Sequence, residues 1–140
     1  MSEQGKTYTL EEVLKATTEY FAGNKLAADV WASKYALVDN EGKYHELTPD
    51  DMHWRIAKEF ARIEKKKFKN PLTAEFIYSK LKNFERIIPQ GSPMYGIGNP
   101  FQMVSLSNCF VVESALDSYG SICKVDEELA QISKRRGGVG

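Results

Sequence analysis

The sequence predicts a mixed α/β protein in which helices come first and strands later. Three observations carry this. Up to about residue 86, apolar residues recur at helical spacing behind recognisable caps. From Ile87 to Pro100 the chain turns rich in glycine and proline, the signature of an irregular segment. Two short apolar runs, Gln102–Ser105 and Asn108–Val112, then read as buried strands ahead of a last helix at about 118–135.

Residues 1–8 form a polar lead-in. Thr9-Leu10-Glu11-Glu12 is a capping box, in which a threonine oxygen and a glutamate three residues on satisfy each other's backbone N–H. Leu10, Val13, Leu14, Thr17, Tyr20 and Phe21 follow on one helical stripe, which Gly23 ends. A second helix runs from about Lys25 to Tyr35. Tyr35–Val38 and Lys43–Leu47 flank the turn Asp39-Asn40-Glu41-Gly42 and predict a hairpin. His45 lies in it and reads as a half-exposed strand residue, with no second metal ligand near it in sequence.

Thr48-Pro49-Asp50-Asp51 is the clearest helix start: a cap, a proline at the first helical position and two acids against the positive helix end. Met52, Ile56, Ala57, Phe60 and Ile63 make its apolar face; Arg55, Lys58, Glu59, Arg62 and Lys66 make its wet face. Lys65-Lys66-Lys67 fits a solvated helix C-terminus better than a nucleic-acid patch. Asn70-Pro71 breaks the chain, and Thr73–Phe84 predicts a fourth helix.

The chain has 140 residues, 42% hydrophobic and 27% charged, the size and composition of one soluble domain. Nineteen basic residues balance nineteen acidic ones, which excludes a nucleic-acid grip resting on bulk positive charge. No apolar run approaches the ~20 residues of a membrane span. The first six residues lack the apolar core of a signal peptide, so a cytoplasmic setting is expected. Two cysteines and two histidines without a CxxC are too few for a disulfide scaffold or a zinc site, so no metal is expected.

Cys109 opens an apolar strand run after Ser107-Asn108. It fits either a small buried hydrophobe or a thiol facing a cavity, and spacing alone does not decide. Cys123 falls within a helix pattern and is expected to pack there. Gly96-Ile97-Gly98 lacks the strand-to-helix setting of a dinucleotide fingerprint, and Gly137-Gly138-Val139-Gly140 follows a helix instead of preceding one, so neither is a phosphate loop.

Five ordered blocks go further. Asn24–Leu37, Thr48–His53, Ile88–Met94, Ser105–Phe110 and Lys134–Gly140 together resemble the N-terminal part of the ribonucleotide reductase large (catalytic) subunit. The resemblance implies an N-terminal helical region over 9–86 and, from 87 to 140, the first strands of a ten-stranded α/β barrel. It implies ribonucleotide reduction by thiyl-radical chemistry with a redox dithiol. Cys109 falls on a redox-active cysteine; Ser92, Asn108, Cys109 and Gly138 fall on substrate-contacting positions. Asp117, Ser118 and Tyr119 match the start of an allosteric site for a dNTP or ATP effector, where Asp117 also suits a plain helix cap.

The implied partners are a ribonucleotide substrate, a nucleotide effector, a thioredoxin-type reductant and a second copy of the full subunit. The radical generator, adenosylcobalamin or a metal-containing small subunit, lies elsewhere. No ATP-cone pattern precedes residue 9, so overall on/off control is not expected. The end at Gly140 falls inside a resembled motif; an N-terminal piece, inactive without the C-terminal remainder, is expected. The alternative is a non-catalytic nucleotide- or subunit-binding module derived from such an enzyme.

Overall fold

Helix caps organise the first half of the molecule. The structure, a computed structural model, describes residues 6–140. Helix α1 spans Leu10–Tyr20. The Glu12 N–H donates to Thr9 Oγ1 at 3.3 Å and the Thr9 N–H donates to the Glu12 carboxylate at 2.8 Å, which satisfies two otherwise orphaned donors. Ala22 and Gly23, with φ of 51° and 91°, turn the chain into α2, Lys25–Lys34. Helix α3 is Pro49–Lys67; the Asp51 carboxylate caps it by accepting the Leu47 and Thr48 N–H groups at 2.9 and 3.1 Å. Helix α4, Ala74–Leu81, starts at the Thr73 cap and ends in a 3-10 turn over Lys82–Phe84.

Helix α1 packs on α2, and α3 on α4. Their apolar faces meet in one core containing Val13, Trp31, Ala32, Met52, Ile56 and Leu81. Burying the larger of these side chains, such as Val13, Met52, Ile56 and Leu81, stabilises the fold by roughly 1.5–3 kcal/mol each. Tyr78 ties α4 to α3 through its hydroxyl, which donates to Asp50 at 2.6 Å, and through its ring, which stacks on Trp54 at 4.0 Å.

The expected hairpin is reduced to a single antiparallel bridge, Val38–Tyr44. The cause is local: the Asp39 carboxylate accepts the Glu41 and Lys43 N–H groups and so closes a tight side-chain turn. Tyr44 also bridges Tyr8, so the end of the polar lead-in is tied down. Residues 1–5 of that lead-in lie outside the described residues.

The second half departs further from expectation. The segment expected to be irregular contains a short helix, α5, Gly91–Gly96. Gln102–Ser105 is not a strand. The Asn99 side chain accepts the Phe101 and Gln102 N–H groups, and the Ser105 N–H donates to the Arg135 carbonyl, so these donors are committed elsewhere. The Asn108–Val112 run shrinks to β1, Cys109–Phe110, with Cys109 exposed and not buried. Helix α6 spans Tyr119–Lys134. The glycine-rich end contains β2, Gly138–Val139, which pairs parallel with β1 in the register Cys109–Gly138 and Phe110–Val139. The fold is mixed and helix-rich, and this pair is the one sheet among the described residues.

A buried guanidinium helps to join the two halves. Arg55, expected on the wet face of α3, has a side chain only 10% exposed. Its guanidinium donates to the Glu46 carboxylate at 2.6 Å, to the Met94 carbonyl at 2.8 Å and to the Ile97 carbonyl. The last two acceptors lie at the C-terminal end of α5, where helical carbonyls have no partner of their own. Glu46 is buried and also accepts the Leu37 N–H at 2.8 Å. Burial pushes its carboxyl above the ordinary range, while Arg55 and the Leu37 N–H pull it back toward the ionised form.

Removing one partner of a buried ion pair strands the other. Arg55→Met is expected to cost about 3–5 kcal/mol in chemical denaturation. Pairing it with Glu46→Leu should recover part of that loss; a single-variant loss below about 1 kcal/mol, typical of an exposed pair, would refute the buried-pair account.

His53 makes a second stability prediction. It is fully buried against Phe84, and neither ring nitrogen has a hydrogen-bond partner. Burial therefore holds its pKa below the ordinary value. The unfolded chain takes up the proton at about pH 6.5, whereas the folded chain resists it. The His53 contribution is thus complete above that pH and is lost as pH falls toward the depressed folded value. Denaturation midpoints measured between pH 7.5 and 5 should drop less in His53→Leu than in the parent chain; equal slopes would refute this.

Candidate functional site

Asn108 is the meeting point of the sequence-predicted substrate residues. It stands just before β1, and its side-chain oxygen accepts the Ser92 N–H at 2.7 Å. Its side-chain amide donates to Gln90 Oε1. Its backbone carbonyl accepts the Gly138 N–H at 2.7 Å. One asparagine therefore binds the start of α5 on one side and β2 on the other. Ser92, 8% exposed, donates its hydroxyl to the Ser107 carbonyl at 3.4 Å. Ser92, the adjacent pair Asn108-Cys109 and Gly138, three separate stretches of the chain, thus form one cluster.

The glycines around it have distinct steric roles. A Cβ on Gly138 would sit 3.3 Å from the Asn108 carbonyl oxygen, close but not impossible. A Cβ on Gly137 would sit 2.6 Å from Ile132 Cγ2 and 2.7 Å from Phe110 Cε2. Gly137 is therefore the position at which α6 and β1 leave no room for a side chain. A Cβ on Gly91 would come within 3.0 Å of the Tyr35 ring.

Next to Asn108 lies a cavity of about 290 Å³, lined by Lys34, Tyr35, Ser92, Tyr95, Asn108 and Arg136 among others. Tyr95 is nearly buried, and its hydroxyl donates to Gln102 at 2.8 Å. Arg136 adopts a positive φ of 64°, lays its guanidinium 3.8 Å over the Tyr95 ring and donates to the Lys34 carbonyl at 3.2 Å. Cys109 and Gly138 stand beside this cavity on the strand pair and do not line it. Tyr35, Tyr95 and the two cations escaped the sequence-based assignment of site residues. Their one signal was position: Lys34, Tyr35 and Arg136 all fall within the resembled blocks.

The expected effector residues stand apart from this cluster. Ser118 caps α6 by accepting the Ser121 N–H at 3.2 Å. Asp117 and Tyr119 flank it and are exposed. The 16 residues of α6 separate them from β2 by roughly 24 Å at 1.5 Å per residue. Cys123, expected to pack within its helix, is exposed on α6 instead. The thiols of Cys109 and Cys123 are both free.

A second polar feature was missed in the hairpin. His45 Nε2 and Asp39 Oδ2 lie 2.9 Å apart, and the His45 ring packs on Phe101 at 4.8 Å. The hydrogen bond to His45 holds the Asp39 carboxyl below its ordinary range. His45 borders a broad groove with Trp54, Lys58 and Arg62, which neither Ser92 nor Asn108 lines.

Chemically, the Asn108 cluster offers neutral hydrogen-bonding groups, two cations and an adjacent exposed thiol. Among the described residues, no helix is long and apolar enough to cross a membrane. No family model, no curated protein and no solved structure matches the chain.

Proposed function

We propose that the chain is the N-terminal part of a ribonucleotide reductase catalytic subunit, and that the Asn108 cluster is one wall of its substrate site. The observation that carries this reading is the convergence of Ser92, Asn108, Cys109 and Gly138 through hydrogen bonds centred on Asn108. These are the positions that the resemblance assigns to substrate contact; Asn108 and Cys109 are neighbours in the chain, and nothing in sequence spacing requires Ser92 and Gly138 to meet them. The parallel β1–β2 pair, joined through α6, is the kind of unit from which an α/β barrel is assembled.

In this reading a ribonucleotide and a dithiol yield a deoxyribonucleotide, a disulfide and water. A thiyl radical formed elsewhere activates the sugar, and the 2′-hydroxyl leaves as water. The Cys109 thiol supplies hydrogen and electron density and becomes half of the disulfide. Ser92 and Asn108 orient the sugar, and the Gly138 backbone approaches it closely. The second redox thiol comes from outside these 140 residues, because Cys123 lies on a helix and not on a neighbouring strand. A thioredoxin-type donor restores the dithiol, and adenosylcobalamin or a metal-containing small subunit generates the radical. Asp117, Ser118 and Tyr119 bind the nucleotide effector at the interface of a homodimer.

A second reading, a nucleotide- or subunit-binding module without catalysis, is favoured by one observation: Cys109 does not line the cavity. Co-expression with a polypeptide carrying the remaining thiols of such a subunit separates the two. The catalytic reading predicts ribonucleotide reduction that Cys109→Ser abolishes, with ribonucleotide affinity changed by no more than about twofold, since an exposed thiol contributes little to binding. Undiminished turnover in Cys109→Ser would overturn the catalytic role.

A further inference from the structure

The charged side chains lining the Asn108 cavity are both cations, Lys34 and Arg136. Neither has an ion-pair partner among the described residues. Each of the other lining residues is neutral. Two neighbouring like charges without a counter-charge repel each other and attract an anion.

Arg136 is also held in place. Its positive φ of 64° lies in a region that non-glycine residues rarely adopt. The Tyr95 ring, 3.8 Å below the guanidinium, and the Lys34 carbonyl, 3.2 Å away, fix its orientation. Tyr95 is itself only 7% exposed, so the platform under the guanidinium is a packed side chain. A guanidinium carries five N–H donors, and the Lys34 carbonyl takes one of them. A planar fork fixed in this way suits the oxygens of a phosphate. The cavity volume of about 290 Å³ is at the small end for ligand pockets, room for a sugar and its phosphates and not for a whole nucleotide.

We propose that Lys34 and Arg136 bind the phosphate groups of a nucleotide whose sugar lies against Ser92 and Asn108. This rests on the nucleotide-substrate reading above and adds two residues to it. Lys34 contributes charge from the C-terminal end of α2, and Arg136 contributes charge and direction from the turn before β2. The phosphate would then couple the helical half to the strand half.

The test is calorimetric titration of the 140-residue chain with cytidine diphosphate, cytidine and inorganic pyrophosphate at low and high salt. Cytidine diphosphate should bind more tightly than cytidine, and the difference should shrink with salt. Lys34→Gln and Arg136→Gln should each weaken cytidine diphosphate binding about tenfold and leave cytidine binding unchanged. Arg136→Lys should retain part of the affinity. Lys34→Gln is the decisive variant, because the Lys34 side chain is exposed and only its backbone carbonyl is used in the fold. Unchanged cytidine diphosphate binding in Lys34→Gln and in a folded Arg136→Gln would overturn the proposal. So would a folded parent chain that binds neither cytidine diphosphate nor pyrophosphate. If pyrophosphate binds with the same dependence on both cations while cytidine adds nothing, the phosphate site stands and the nucleoside reading falls.

Discussion

The buried guanidinium of Arg55 is the interaction on which the arrangement of the site depends. A charge removed from water must be neutralised and fully hydrogen-bonded. Glu46 neutralises it, and the carbonyls of Met94 and Ile97 occupy further donors. That requirement pins the C-terminal end of α5 to α3. Helix α5 in turn presents the Ser92 N–H to Asn108, Asn108 holds Gly138, and the turn before β2 places Arg136 over Tyr95. Tyr95 belongs to α5, so the chain of contacts closes on itself.

Much of the helical half was legible because its signals are local. The Thr9 and Thr48 starts, the Gly23 stop and the 3.6-residue stripes each act within a few residues. Arg55 was misread for a physical reason. Periodicity places it at the edge of the wet face, and nothing in helical spacing says that a hairpin glutamate and three residues near position 95 will cover it. Helix α5 was hidden by glycine and proline, residues that usually break helices, although Pro93 sits within its first turn, where a proline is tolerated. The strands were legible only in part because pairing is non-local: β2 is two residues long in a glycine-rich run, too short to read from its own sequence, yet it forms where Asn108 and Phe110 offer it partners.

The site was legible only in part. Ser92, Asn108 and Gly138 came from resemblance; no spacing rule would have joined them. Lys34 and Arg136 lie 102 positions apart, and only the folded chain makes them neighbours. The second half also leaves large apolar side chains in solvent: Met103 is 78% exposed, Val111 91% and Leu116 75%. This exposure suits the proposal that more of a catalytic subunit packs against residues 100–135, just as the buried core of the first half suits a self-contained helical region.

The proposed nucleotide-binding wall around Asn108 draws residues from both halves. Amide chemical-shift mapping on addition of a ribonucleoside diphosphate tests it most directly. The largest changes should fall together on Gly91, Ser92, Asn108, Cys109, Arg136 and Gly138, with His45, Trp54 and Lys58 unaffected. Changes confined to the His45–Trp54 groove, or no saturable change at all in the folded chain, would contradict it.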